Sequence, residues 1–149
     1  MARAYSIDGQ DTNTAATTIL GLTTAISVRP AIHYITLGSD ATPADNAAEY
    51  VIQRYTAAGT STAVTPQPLD SEDAAADTSS GEAHSGEPTY TANAIMLQFM
   101  TNQRATFSWY AVPGREIVLP VTASNGVGLQ VITVGGSAVN TGSCWHYTE

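Results

Sequence analysis

Short runs of alternating apolar and polar residues, separated by turn signals, constrain this chain more than any other feature. In the run 105–111 the apolar side chains hold the odd positions: Ala105, Phe107, Trp109 and Ala111. A period of two is typical of a half-buried strand, because successive side chains point to opposite faces of a sheet. Pro113-Gly114 then favours a type II turn, and Asn125-Gly126 between alternating runs is a strong hairpin signal. We therefore predict an antiparallel meander over 102–149.

Similar runs lie upstream, and we predict strands at 17–28, 31–37, 49–56, 61–65 and 89–100. Over 44–56 a helix is the alternative, with Thr42 as N-cap and Pro43 at the first helical position. We prefer the strand, because β-branched and aromatic residues fill 50–52. About eight or nine short strands at even spacing predict an all-β fold, an antiparallel two-sheet β-sandwich that is jelly-roll-like.

The chain of 149 residues is short enough for one domain. Residues 1–16 are polar with little to bury, so we expect an extended N-terminal arm, with a short strand near Ala4–Ile7, ahead of a single sandwich domain at 17–149. Residues 69–88 lack apolar periodicity, and we expect them to form a long acidic loop. That segment holds six carboxylates: Asp70, Glu72, Asp73, Asp77, Glu82 and Glu87.

Charge excludes several classes of partner. Five basic residues, all arginines, against thirteen carboxylates give a formal net charge of −8. Such a surface repels phosphate backbones, so we expect no binding to nucleic acid. No apolar run is long enough to span a membrane, and no signal peptide precedes the first strand, so we expect synthesis and folding in a cytoplasm. A single cysteine, Cys144, excludes an internal disulfide and a multi-cysteine zinc site.

Candidate chemistry is sparse. Cys144 and His146 lie two apart on a predicted strand and therefore share a face, but neither His33 nor His84 has a readable reason to join them. The acidic segment lacks the ligand spacing of a calcium loop, and the glycines after residue 125 belong to turns rather than to a phosphate-binding loop. We expect no catalytic residue, no cofactor and no metal site.

Large aromatic side chains near the C-terminus admit two interpretations. They are Trp109, Tyr110, Trp145 and Tyr147. Together they could form a sugar-stacking platform, which would make the chain a carbohydrate-binding β-sandwich. Packing in the core or at a subunit interface is the interpretation that we prefer.

Several segments resemble small structural proteins encoded beside capsid genes in tailed bacteriophages. They are Thr42-Pro43-Ala44-Asp45, the run 53–60 (QRYTAAGT), Glu87-Pro88-Thr89-Tyr90-Thr91, the run 102–107 (NQRATF) with Trp109, and the run 123–128 (ASNGVG). The resemblance spans about the C-terminal two-thirds of the chain and includes no catalytic motif.

The resemblance implies a capsid decoration, or cement, protein of jelly-roll type. Such proteins are not enzymes. They are made in the bacterial host cytoplasm and sit on the outer surface of the virion as homodimers or homotrimers. There they bind the major capsid protein and bridge neighbouring capsomers. The alternative is a carbohydrate-binding β-sandwich that serves as a host-attachment accessory on the particle.

Arginine and aromatic side chains dominate interface hot spots, which suggests the residues that would contact partners. On this basis we predict seven interface residues: Arg3, Tyr5, Arg29, Arg54, Arg104, Trp145 and Tyr147.

Overall fold

A computed structural model describes residues 2–149, which form twelve strands and no helix. The first sheet contains β1 (Ala4–Thr12), β3 (Ala31–Ser39), β6 (Gln67–Pro68), β9 (Phe107–Tyr110), β10 (Ile117–Val118) and β12 (Asn140–Thr148). The second contains β2 (Thr18–Thr23), β4 (Ala47–Ala57), β5 (Thr60–Val64), β7 (Ser79–Gly86), β8 (Thr89–Asn102) and β11 (Gly126–Val134). All pairings are antiparallel, and the two sheets pack face to face around one core.

The strand order is that of a jelly roll. The first sheet runs β10-β3-β12-β1-β6, with β9 also paired to β3, and the second runs β5-β7-β2-β11-β4-β8. The first strand thus pairs with the last, β2 with β11, β3 with β9 and β10, and β4 with β8. Such nesting of strand pairs is how an eight-stranded jelly roll wraps.

The predicted fold class is confirmed, with more strands than expected. The additional strands have two sources. The segment between β4 and β8 contributes β5, β6 and β7, and the strand that pairs with β3 is interrupted at 111–116. The interruption contains the predicted type II turn, in which Gly114 has φ +82° and the Arg115 amide donates to the Val112 carbonyl at 2.8 Å.

The predicted meander over 102–149 is wrong. β9, β10 and β12 belong to the first sheet, whereas β11 belongs to the second. Asn125-Gly126 makes no hairpin; the turn from Thr122 to Asn125, closed by a hydrogen bond of 3.2 Å, carries the chain from one sheet to the other. Alternation identifies a strand but not its partner, because every half-buried strand shows the same period.

The predicted N-terminal arm is also wrong, because β1 lies inside the first sheet between β12 and β6. Its pairing with β12 runs unbroken from Ala4 opposite Thr148 to Thr12 opposite Asn140. The segment looked polar because little on its inward face is large beyond Tyr5 and Ile7.

Other boundaries differ in the segments before and after β4. The strand over 49–56 is confirmed as β4, and no helix forms there. The acidic segment 69–88 is a loop only to residue 78, since β7 begins at Ser79. The strand predicted at 17–28 ends at Thr23, and Ile26 beyond it is 77% exposed.

β5 and β7 form a ribbon, here called the covering ribbon, that continues the β4–β8 pair. Pairing passes from Ala57 opposite Thr89 to Thr60 opposite Gly86. The ribbon bends at Gly59, whose φ is +73° and where an added Cβ would overlap backbone atoms of residues 86 and 87. β7 then pairs with the edge of β2 that β11 leaves free. The second sheet therefore curls, and short segments of the chain connect β4 and β8 at one end of the sheet to β5 and β7 at the other.

The core between the sheets is centred on aromatic residues of β12. Trp145 lies between Ile7 and Ile35 in the first sheet and has no exposed surface. Phe99 of β8 and Phe107 of β9 stack with ring centroids 3.8 Å apart, which closes one side of the sandwich.

We expect Trp145→Ala to lower the free energy of unfolding by about 3–5 kcal/mol, because a buried indole leaves a large cavity. Urea unfolding followed by far-UV circular dichroism measures this. Tyr110→Ala is the aromatic control. Its side chain is 69% exposed, and the expected loss is about 1 kcal/mol or less. Equal losses in the two variants would contradict the placement of Trp145 in the core.

Candidate functional site

Three of the seven predicted interface residues lie in the core. Tyr5, Trp145 and Tyr147 have no exposed surface. The Tyr5 and Tyr147 rings stack with centroids 5.6 Å apart, and Trp145 Nε1 donates to Ser143 Oγ at 2.8 Å. Because each is enclosed by its own chain, none is available to a partner, and their prediction as interface residues is wrong.

Two of the arginines bind within the chain. Arg54 reaches between the sheets, where Nη2 donates to the Val118 carbonyl at 3.2 Å. Arg3 pairs with Glu149 at 4.0 Å, and the two residues also exchange backbone hydrogen bonds of 3.0 Å. These contacts join the two sheets and the two ends of the chain. For both residues a contact with a partner stays a prediction.

The other two predicted arginines are exposed at opposite ends of the sandwich. Arg104 lies in the turn after β8, where its Nε donates to the Pro43 carbonyl at 3.3 Å. Arg29 lies in the loop between β2 and β3. Their role at an interface stays a prediction. The segment between the two arginines includes the whole of β3 and of β4.

The loops 24–30 and 119–125 form a rigid, apolar tip, here called the loop end and defined by Ile26, Arg29 and Val121. Ile26 is 77% exposed and Val121 50% exposed. Thr24 between them is buried; its amide donates to the Asn125 carbonyl at 2.8 Å and its Oγ1 to the Thr122 carbonyl at 2.5 Å. The backbone is thus held while Ile26 and Val121 face solvent, which makes the loop end a candidate binding surface.

Sequence reasoning missed the loop end because the strand predicted at 17–28 includes Ile26 and the meander predicted over 102–149 includes Val121. The signals were Pro30 and Pro120, each of which removes a backbone donor. β2 ends at Thr23, before Pro30, and β10 ends at Val118, before Pro120.

A second feature, here called the covered chamber, lies on the outer face of the second sheet, inside the curl that the sheet makes through the covering ribbon. Its floor is a cross-strand row of glycines, Gly81, Gly21 and Gly128, with Gly126 beside it. Tyr55 lies over this floor, so that a Cβ on Gly126 would stand 2.5 Å from its ring. The floor therefore lacks side chains because a tyrosine occupies the space.

Polar groups line the chamber, which encloses about 190 Å³. In the lining, Tyr55 hydroxyl lies 2.7 Å from Thr23 Oγ1; outside the lining, Tyr90 hydroxyl lies 2.8 Å from Thr18 Oγ1. Burial raises the pKa of Tyr55 to about 12 and raises that of Tyr90 as well, so both hydroxyls stay protonated at neutral pH. They serve as hydrogen-bonding groups rather than as nucleophiles.

His84 enters the chamber from the covering ribbon. Ala83 before it has φ +47°, a bulge that turns His84 outward although Glu82 faces inward to the Gln10 amide. His84 Nδ1 lies 3.1 Å from the Thr18 carbonyl, and since a carbonyl only accepts, Nδ1 carries the proton. Burial lowers the pKa of His84, which keeps the ring neutral.

The outer face of the first sheet carries Cys144 and His146 side by side, as their spacing predicts. Burial, with Asp8 nearby, raises the pKa of the Cys144 thiol, so it is not activated as a thiolate. Over residues 2–149 there is no group of three or more acidic, histidine or cysteine side chains that could hold a metal ion. His84 lies on the other sheet.

An aromatic pair lies on the same face of the first sheet. Tyr34 and Tyr110 are cross-strand neighbours with ring centroids 4.5 Å apart, and His146 lies on the other side of Tyr34 at 5.0 Å. Tyr110 is 69% exposed. Of the four aromatics considered for a sugar platform, Tyr110 alone is largely exposed, whereas Trp145 and Tyr147 are buried.

Comparison with known proteins gives no relative. No protein-family model matches the chain, and neither the curated proteins nor the solved structures contain a match. Within residues 2–149, no helix has the length and apolar character needed to cross a membrane.

We expect the free energy of unfolding to rise as pH increases through about 6.5, the ordinary pKa of histidine. Because burial lowers the pKa of His84 in the folded chain, the unfolded chain binds more protons in this range. His84→Asn removes the titrating group but keeps a donor for the Thr18 carbonyl, so the slope of stability against pH should flatten between about pH 5 and 7.

Urea unfolding at several pH values measures that slope. Part of it should remain in the His84→Asn variant, since burial also lowers the pKa of His33. An unchanged slope in the variant would contradict the placement of His84 in the covered chamber.

Proposed function

We propose that this chain is a non-catalytic structural virion protein, a decoration or cement protein that binds the outer surface of an icosahedral phage capsid. The loop end is the observation that carries the proposal: a stiff jelly roll presents Ile26 and Val121 to solvent beside an exposed arginine. Its partner is the major capsid protein, and it is made in the bacterial host cytoplasm.

The rigidity of the loop end favours attachment. Hydrogen bonds from Thr24 to the carbonyls of Thr122 and Asn125 hold the two loops together before a partner binds. Less conformational entropy is therefore lost on binding, and more of the apolar burial becomes net affinity. Arg29 adds a cation that suits carbonyl or carboxylate groups on the shell.

Charge agrees with a position outside the shell. The net charge of −8 repels packaged DNA. Many copies that each add a modest contact resist internal pressure, because rupture has to break several contacts at once.

The test is co-sedimentation with empty capsids of the phage that encodes the chain. Ile26→Asp and Val121→Asp each place a charge in a desolvated contact, and we expect each to weaken binding by about 10-fold or more. Val112→Asp is the matched control. Val112 is 69% exposed on the 111–116 segment at the side of the first sheet, and its substitution should leave binding unchanged.

Two results would overturn the proposal. One is a virion that lacks this chain or contains only a handful of copies. The other is equal capsid binding by the wild-type chain, Ile26→Asp and Val121→Asp, which would remove the loop end from the contact.

A carbohydrate-binding role is the second candidate, and the aromatic pair is the observation that favours it. Tyr110 is exposed beside Tyr34 on a sheet face that also carries Asp8 and Thr36, polar groups of the kind that bind sugar hydroxyls. A glycan array tests this role. If it holds, Tyr110→Ala should lose any signal and Val112→Ala should keep it, whereas an array without hits would eliminate it.

A further inference from the structure

Among residues 2–149, β8 is the longest strand that has no partner along one of its edges. It has 14 residues, whereas the other edge strands are short: β5 with 5, β9 with 4, β6 with 2 and β10 with 2. A strand at an edge leaves a row of unpaired amide and carbonyl groups, and short edge strands are one way in which proteins limit pairing with other chains. Four of the five edge strands follow that rule, and β8 departs from it.

β8 also lacks the side chains that block pairing. From Thr89 to Asn102 there is no charged residue and no proline. Asn93, with φ +60°, interrupts the N-terminal half, where the pairing with β4 shifts register. The half from Leu97 to Asn102 pairs without a shift against Ala47–Ile52, so its outer edge is regular. An edge of this kind is a template for one more strand.

Exposed apolar side chains lie along the same strand. The side chain of Met100 is 68% exposed and that of Ile95 is 44% exposed, and both fractions are large for residues of a regular sheet. Lysine, a common protector of sheet edges, is absent from the whole chain. An added strand would cover Met100 together with the unpaired backbone groups.

We infer that a second copy of this chain pairs with β8 over Leu97–Asn102, in antiparallel orientation across a two-fold axis. The second sheet of one copy and the second sheet of the other copy, six strands each, then become one continuous sheet. The contact is isologous and closes as a dimer, because the same edge is used on both copies. The opposite edge of this sheet, β5, is too short to propagate a fibre.

The absence of charge on this edge favours a second copy of the chain as its partner over a basic protein. Two chains of net charge −8 repel one another, so they associate through a surface that carries no charge, and Leu97–Asn102 is neutral. The nearest carboxylates are held back from the edge: Gln98 Nε2 donates to Glu49 Oε1, and Asn102 Nδ2 donates to Asp45 Oδ1 at 2.5 Å. A basic partner would instead favour an acidic edge.

The side-chain arrangement fits self-pairing. Directly opposed residues of a continuous sheet share a face, so Met100 of one copy lies opposite Met100 or Gln98 of the other. Either register places apolar or neutral groups together at the two-fold axis. A charge introduced at Met100 or Gln98 lies near its own copy across that axis, and like charges in this position repel.

Sedimentation velocity of the purified chain over a range of concentrations tests the inference with no capsid present, so its outcome is separate from that of shell binding. The wild-type chain should have twice the mass of one chain. Met100→Glu and Gln98→Glu each add to the negative charge of Glu49 beside them, and they should weaken the dimer by about 10-fold or more in dissociation constant. Val112→Glu, equally exposed and outside β8, should remain dimeric.

Backbone hydrogen exchange on the wild-type chain gives a readout that does not depend on a variant that folds. Alternate amides of Leu97–Asn102 should become more protected as concentration rises, while those of the interrupted half near Asn93 should not. A wild-type monomer at all concentrations, a mass that grows beyond the dimer, or a dimer that survives both Met100→Glu and Gln98→Glu would overturn the inference.

Discussion

The pairing of β1 with β12 is the contact on which the rest of this molecule depends. It joins the two ends of the chain over nine residue pairs and places Tyr5 and Ile7 beside Tyr147 and Trp145. Every other strand pair of the jelly roll is nested inside this outermost one, as β2 pairs with β11 and β4 with β8. Such pairings close long loops before they gain contacts, so we expect slow folding and a rigid folded state.

The second sheet carries structure on both of its faces, and glycine makes this possible. Leu20, Leu22 and Leu129 pack inward, while the positions between them are Gly21 and Gly128. The absence of side chains at these glycines lets Tyr55 lie against the outer face of the sheet, where the sheet curls through the covering ribbon. The insertion between β4 and β8 is therefore an integral part of the sandwich and not an appended loop.

The surface of this scaffold is divided among features that do not overlap. The loop end at Ile26 and Val121, the aromatic pair on the first sheet and the free edge of β8 lie at an end, a face and a side of the molecule. The proposed contacts with the shell, with a glycan and with a second copy would each use a different one of these surfaces. In each proposed contact the protein presents apolar side chains on a stiff backbone.

Local sequence patterns predicted most of the strands, the type II turn at Pro113-Gly114 and the sandwich class, because alternation and turn chemistry act over a few residues. They gave β1 only a short strand near Ala4–Ile7 in a loose arm, because its inward face is small. They also failed for Asn125-Gly126, which links two sheets instead of closing a hairpin. Arginine and aromatic content suggested interface residues, yet Tyr5, Trp145 and Tyr147 are core, since side-chain type alone does not distinguish a buried core from a buried interface.

The sequence by itself determined that this chain forms an antiparallel β-sandwich with an acidic, lysine-free surface, because strand period, turn residues and charge are properties of composition and local order. Only the tertiary structure decided which strands pair, which aromatics are enclosed and which edge stays open. Those outcomes depend on contacts between residues far apart in the chain. The exposure of Ile26 and Met100, on which the proposed surfaces rest, exists only once the two sheets have closed.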